Sequence, residues 1–233
     1  MILQTALGVG LGLLAGSWAA PSQPWLQSFT VDVRELATQG ESPYFILKPG
    51  YQSTFEGKES GKAGKLVITV LNETRNVGGV ETRVVEEREW SGGELIEVSR
   101  NFFAIHPGTG DVYYFGEDVD MYKKGKVANH EGSWQHGTNG AKFGLMMPGK
   151  PSIGMRFYQE LAKGVAMDHA EVVSLTDRLT TPAGVFENCL RTKETTPLEM
   201  LAREYKVYAP GVGLVKDSAL EMVSHQYVQA STR

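Results

Sequence analysis

The sequence predicts an all-β protein with minor helix, a single curved antiparallel sheet forming a half-barrel or barrel that carries a long glycine-rich loop. Three observations predict it. Short runs rich in β-branched and aromatic residues recur along the chain. Turn signals built from Gly, Pro, Asn and Ser separate them at intervals of about 8 to 12 residues. Helical periodicity is confined to Tyr158 to Val165 and Pro197 to Arg203, each good for one or two turns.

Residues 20 to 50 form an irregular lead-in in which Trp25, Leu26, Phe29, Val31, Val33 and Leu36 suit a short helix or an edge strand packed across the body, before Pro43 and Pro49-Gly50 break the pattern. The antiparallel domain is expected over 51 to 233. Lys65 to Thr74 is β-branched, Asn76 to Gly79 turns, and Val80 to Trp90 returns. Past Ser91-Gly92-Gly93, the segment Glu94 to Ile105 sets Ile96, Val98 and Phe102 on one side and Glu97, Ser99 and Asn101 on the other, which reads as a strand with one wet face. His106 to Gly110 turns into the strand Asp111 to Phe115, and Lys123-Lys124-Gly125-Lys126 reads as a hairpin tip. Between Glu131 and Pro151 five glycines break the chain too often for a regular element, leaving a long ordered loop of the kind that often carries function. Glu171 to Val228 closes as a meander.

The 233 residues carry a formal charge of −4 and 41% hydrophobic content, enough for a sizeable core and without the basic field that a phosphate backbone requires. Nucleic acid is therefore not an expected partner. The first nineteen residues read as a signal peptide: no charged side chain, an apolar run from Ala6 to Leu14 too short to span a bilayer, and Ser17 and Ala19 in the small-x-small cleavage pattern. The expected location is periplasmic or secreted, with no stable transmembrane anchor. The single cysteine, Cys189, excludes an internal disulfide and sits in an apparent strand, as a small buried apolar residue would.

Several catalytic and nucleotide motifs fail on their own chemistry. Gly144 to Lys150 has phosphate-loop spacing, but Pro151 stands where the Mg²⁺-binding hydroxyl belongs. A calcium loop begun at Asp118 would have Lys123 at its glycine position and Asn129 at its bidentate acid. A zinc-protease helix begun at His130 meets Trp134 where the second histidine is needed. What survives lies between Asp111 and Pro148. Asp118 and Asp120 share one face of a strand with Glu117 opposed, an oxygen-rich set for a hard divalent metal, and His130 and His136 add imidazoles that suit zinc or copper. Tyr114, Tyr122 and Trp134 beside Glu117 and Asp118 make an aromatic and acidic surface that suits a small-molecule, lipid-like or sugar ligand.

The string Val112-Tyr113-Tyr114-Phe115-Gly116-Glu117-Asp118, continuing through Tyr122, Gly125-Lys126-Val127, Glu131-Gly132-Ser133-Trp134, Gly140-Ala141 and Met147-Pro148, resembles a group of exported bacterial proteins of unassigned function. The tail, with Thr181 to Cys189 and Tyr205 to Val215, is similar to a wider class of periplasmic half-barrel β-proteins with lipoprotein-carrier-like architecture. The resemblance implies a location and a fold, and no activity.

Three functional readings follow. The first is a non-enzymatic exported binding or envelope protein holding a small or amphipathic ligand on the concave face, with Glu117, Asp118, His130 and Trp134 at the rim. The second is a metal-dependent or carboxylate-pair hydrolase using Asp118 or Glu117 as base and His130 as partner; convergence of carboxylate and imidazole groups would favour it. The third is a structural envelope module without a ligand.

Overall fold

The computed structural model describes residues 23–229, so the expected leader lies outside the described residues. A short 3₁₀ turn, Val33–Glu35, precedes a small hairpin of β1 (Gly40–Ser42) and β2 (Phe45–Leu47). Then follow β3 (Tyr51–Glu59), β4 (Lys62–Val77), β5 (Val80–Ser91), β6 (Glu94–Ile105) and β7 (Val112–Lys123), the first five strands of a long meander. Short strands β8 (Lys126–Asn129), β9 (Trp134–Gln135), β10 (Lys142–Met147), β11 (Arg156–Tyr158) and β12 (Glu160–Leu161) come next. The meander resumes with β13 (His169–Thr181), β14 (Gly184–Thr196), β15 (Glu199–Ala209), β16 (Gly213–Asp217) and β17 (Leu220–Tyr227).

All ladders of the main sheet are antiparallel, in the order β11-β13-β14-β15-β16-β17-β3-β4-β5-β6-β7-β10-β12, with β8 and β9 added to β7. The return of β17 to β3 joins the C-terminal half to the N-terminal half through Met222 opposite Phe55 and Tyr227 opposite Tyr51. Tight turns keep the neighbours in register. At Ser60-Gly61 and Lys124-Gly125 both turn residues have positive φ, the backbone twist that matches right-twisted strands.

The ladder does not close on itself, yet its two ends are covalently joined. β11 pairs with β13 at one edge, β12 pairs with β10 at the other, and only Gln159 separates them. The crossing is tight: a Cβ on Gly144 would stand 2.2 Å from the Gln159 carbonyl oxygen, so only glycine lets the segment pass there. The curved sheet therefore has an inner face enclosed on the β10–β13 side by this crossing, where the Gln159 and Glu160 N–H groups both donate to the Asp168 carbonyl just before β13.

The lead-in packs against the body of the sheet, with Phe29, Val31, Leu36 and Ala37 against the large core cluster. Leu26 bridges Phe157, Ala37 bridges Ile105, and Phe29 packs edge-on to Tyr113. A large core cluster runs from Leu47 and Phe103 to Phe157 and Leu190, and a second gathers Phe55, Leu66, Cys189, Val215 and Met222. Each fully buried aromatic or aliphatic side chain contributes roughly 1.5–3 kcal/mol against the entropy of ordering the strands.

Three sequence expectations are corrected. Glu131 to Pro151 is not wholly irregular: β9 and β10 lie within it, because β7 offers a free edge that they pair. The two helical segments are not helices. Tyr158 to Val165 carries the β11–β12 crossing, and Pro197 to Arg203 is the β14–β15 turn and the start of β15, where tertiary pairing overrides weak local propensity. Finally, Glu97, Ser99 and Asn101 do not face bulk water. They line the inner face, with Ser99 and Asn101 both 5% exposed, while Val98 and Phe102 are buried on the other side.

Candidate functional site

The inner face is built by strand alternation. Glu87 and Glu89 on β5 oppose Ser99 and Glu97 on β6, so all four point the same way, and Asn101 continues the row beside Val85. On β7 the alternation would send Tyr114 and Glu117 to opposite faces. A bulge prevents it: Phe103 pairs with Tyr114 and Asn101 with Glu117, leaving Phe102 opposite both Phe115 and Gly116. Gly116 takes φ 137°, and its open side receives the Trp134 backbone. Tyr114 and Glu117 thereby both turn inward, while Phe115 goes out to stack on Phe143.

These side chains line a cavity of about 270 Å³ together with Gln159, Glu160, Asp168, Glu194 and Lys206. Seven carboxyl groups and a single ammonium face it, so its charge is unbalanced if all ionise. The lysine is fully used: Lys206 Nζ lies 3.2 Å from Glu194 and 3.6 Å from Asp217. Glu194 is in turn held by the Thr192 hydroxyl, the Tyr208 hydroxyl and the Gln159 amide, all of which donate to it. Glu87, Glu89, Glu97, Glu117 and Glu160 have no cation partner among the described residues.

Electrostatics follow from that imbalance. Burial, reinforced by Glu89, Asp217 and Glu117, pushes the Glu87 carboxyl up to about 8, with Lys206 opposing. Burial, then Glu97, raises Glu89 to about 7. Glu117 is pushed up to about 7 by burial, against the Tyr114 hydroxyl that favours its ionised form. Glu160 is driven well above the usual carboxylate range by burial and by Glu117, and Asp168 is raised by burial. For Lys206, burial pulls down, but Asp217 and Glu194 outweigh it and hold the ammonium charged.

Beside this polar cavity lies an apolar cleft of about 90 Å³ walled by Phe45, Ile46, Phe55, Ile68, Val70 and Leu214 among others. Glu87, Phe103, Met146 and Lys206 line both spaces. The inner face thus presents apolar and acidic walls in direct succession.

Of the residues expected to bind a ligand, Tyr114 and Glu117 line the cavity. Trp134 is buried beside them, its ring edge-on to Tyr114 at 5.3 Å. Asp118 and Tyr122 are on the outer face, where Asp118 accepts from Gln135 at 2.9 Å and pairs with Arg75 at 3.5 Å. The expected metal set is not brought together. Glu117 points in; Asp120 pairs with Arg100 and His130 on the outer face; His136 packs among Phe115 and Phe143 and accepts the Phe143 N–H. Burial lowers the His136 pKa, as suits a neutral acceptor. Among the described residues no three His, Cys, Asp or Glu side chains form a metal-ligating group. His130 likewise does not meet Glu117, so the expected base and partner do not converge.

Sequence reasoning missed Glu87, Glu89, Glu160, Asp168, Glu194 and Lys206 as site residues. Alternation puts Val85, Glu87 and Glu89 on one face of β5, but the intervening Glu86 and Arg88 are charged too, so the sequence did not mark that face as the interior one. No known protein family, curated protein or solved structure matches the chain.

Proposed function

We propose that this protein is a non-enzymatic binding protein that holds a small amphipathic ligand on the inner face of its curved sheet, in an exported, periplasmic or secreted setting. The observation that carries the reading is the continuity of the apolar cleft with the carboxyl-lined cavity through Glu87, Phe103, Met146 and Lys206. Ligand sites combine largely apolar walls with a few convergent polar groups, and this pairing has that form. The leader-like residues 1 to 19 support export, and the resemblance to periplasmic half-barrel proteins agrees with both parts.

The test is a titration with N-phenyl-1-naphthylamine, a neutral apolar dye that brightens on leaving water. Saturable brightening, abolished by the cleft-filling substitution Ile68→Trp, is the expected result. An unsaturable response equal in both proteins would remove the reading.

A further inference from the structure

We infer that the polar end of the ligand is a cation, an amine or quaternary ammonium group on an apolar tail, and that it seats against Glu117 and Glu87 in the carboxyl-lined cavity. This rests on the binding reading above and adds the chemistry of the occupant.

The cavity presents an excess of carboxyl groups over ammonium groups, and its one lysine is already matched by Glu194 and Asp217. A buried carboxyl group without a partner resists ionisation, and an opposite charge arriving within a few ångströms reverses that balance. An anionic headgroup would meet the reverse: added negative charge with no free cation to receive it. The carboxyl groups are spread over β5, β6, β7, β12, β14 and the segment before β13, and among the described residues no three of them form a metal-ligating group. Such a wall suits a diffuse organic cation whose tail continues past Phe103 and Met146 into the apolar cleft.

A second observation comes from Trp134. The residue is 6% exposed and its buried indole N–H makes no hydrogen bond of ordinary geometry, yet it lies beside the Glu117 carboxyl group, whose ionised form it favours. An unmatched buried donor costs about 1–3 kcal/mol, which a correctly placed acceptor recovers. Ionised by a bound cation, Glu117 becomes a stronger acceptor for that N–H than its protonated form. Cation entry, loss of the Glu117 proton and hydrogen bonding of Trp134 are thereby one linked event.

The proton balance depends on every charge facing Glu117. Glu97 faces it from β6 and Asp168 from the segment before β13; Tyr114, on its own strand, lies beside it with its hydroxyl donating to Asn101 Oδ1. Glu160 on β12 and Glu87 on β5 face it across the cavity, and Lys206 on β15 faces Glu87 and Glu160. Acids dominate this set, so protons and the organic cation compete for the same carboxylates.

A matched series of dodecylamine, dodecanol and dodecanoate, titrated calorimetrically, reads the inference directly. At about pH 8.5 the amine is expected to bind at least about tenfold tighter than the alcohol and tighter still than the carboxylate, with the amine's preference shrinking about tenfold by about pH 6 as the carboxyls take protons. Glu117→Gln is expected to narrow the amine-to-alcohol ratio, and amine binding should shift the tryptophan emission of the native protein but not of Trp134→Phe. Equal binding of all three, or a preference for the carboxylate, overturns the inference while leaving the binding reading standing. Failure of all three to bind overturns both.

Discussion

Gly116 stands so close to Trp134 that a Cβ on it would lie 2.3 Å from the Trp134 carbonyl oxygen. That contact fixes the bulge which turns both Tyr114 and Glu117 inward, so one glycine links strand register to cavity chemistry. Gly116→Ala must also adopt φ 137°, a region that side chains rarely take. The substitution is expected to cost roughly 2–4 kcal/mol in urea unfolding. Gly211→Ala, at φ 72° with open space around it, should cost only about 1 kcal/mol. Equal losses would mean that the bulge is not the strained feature.

The curved antiparallel sheet was legible because turns and alternation are local. Lys124-Gly125 and Gly92-Gly93 announce their hairpins, and Val84 to Glu89 announces a strand, without reference to anything distant. The cavity was not legible, for two physical reasons. Alternation says which residues share a face but not whether that face is bulk water or an enclosed wall, so Glu97, Ser99 and Asn101 read as solvated although they are interior. The bulge at Gly116 also reverses the parity of β7. It puts Glu117 on the same face as Tyr114, opposite Asp118 and Asp120 as simple alternation already has it, and so brings Glu117 to Glu160 and Asp168, far along the chain. Tyr114, Glu117 and Trp134 were visible as chemistry, whereas their true neighbours were set by long-range pairing.

The raised carboxyls predict an unusual pH dependence of stability. A carboxyl group whose folded pKa exceeds its unfolded value binds more protons in the folded state, so stability is complete below the unfolded value and is lost as pH rises through the folded one. For Glu87 that window runs from its ordinary 4.5 to about 8, and for Glu89 and Glu117 from 4.5 to about 7. The empty protein is therefore expected to be more stable near pH 5 than near pH 8.5 by urea midpoint. Glu87→Gln should flatten the profile and stabilise the protein at the alkaline end by roughly 1–2 kcal/mol, a figure reduced for water in the cavity. A profile rising between those values would show that the inner carboxylates are ionised at little cost.

The outer-face acids and histidines should behave as ordinary surface groups. His130 is 68% exposed and meets Asp120 at 2.9 Å. Exposed pairs of this kind contribute roughly 0–1 kcal/mol, so His130→Ala and Asp118→Ala should each shift stability by less than about 1 kcal/mol. Because these residues do not converge with Glu117 or His136, adding a chelator should leave the melting temperature unchanged. A chelator-induced drop, mirrored by Asp118→Ala, would reveal a metal held by an arrangement other than the one described.

Lys206 is the one positive charge on an acidic wall, and its removal separates electrostatic from packing roles. Its ammonium holds Glu194 and Asp217 together, while Glu194 also accepts from Thr192, Tyr208 and Gln159. Gln159 is the residue that carries the chain between the sheet's two ends, so this network ties β14 and β15 to the crossing. Lys206→Met keeps the stem's apolar contacts and leaves two carboxylates without their cation. With the side chain 22% exposed to cavity water, the expected cost is about 2–4 kcal/mol, below that of a fully dry pair. Adding Glu194→Gln removes one of the stranded charges and should recover part of the loss, giving a coupling of about 1–3 kcal/mol in a double-mutant cycle near pH 7.5. Strict additivity would place the stabilising role in the lysine's packing and leave the carboxylates indifferent to it.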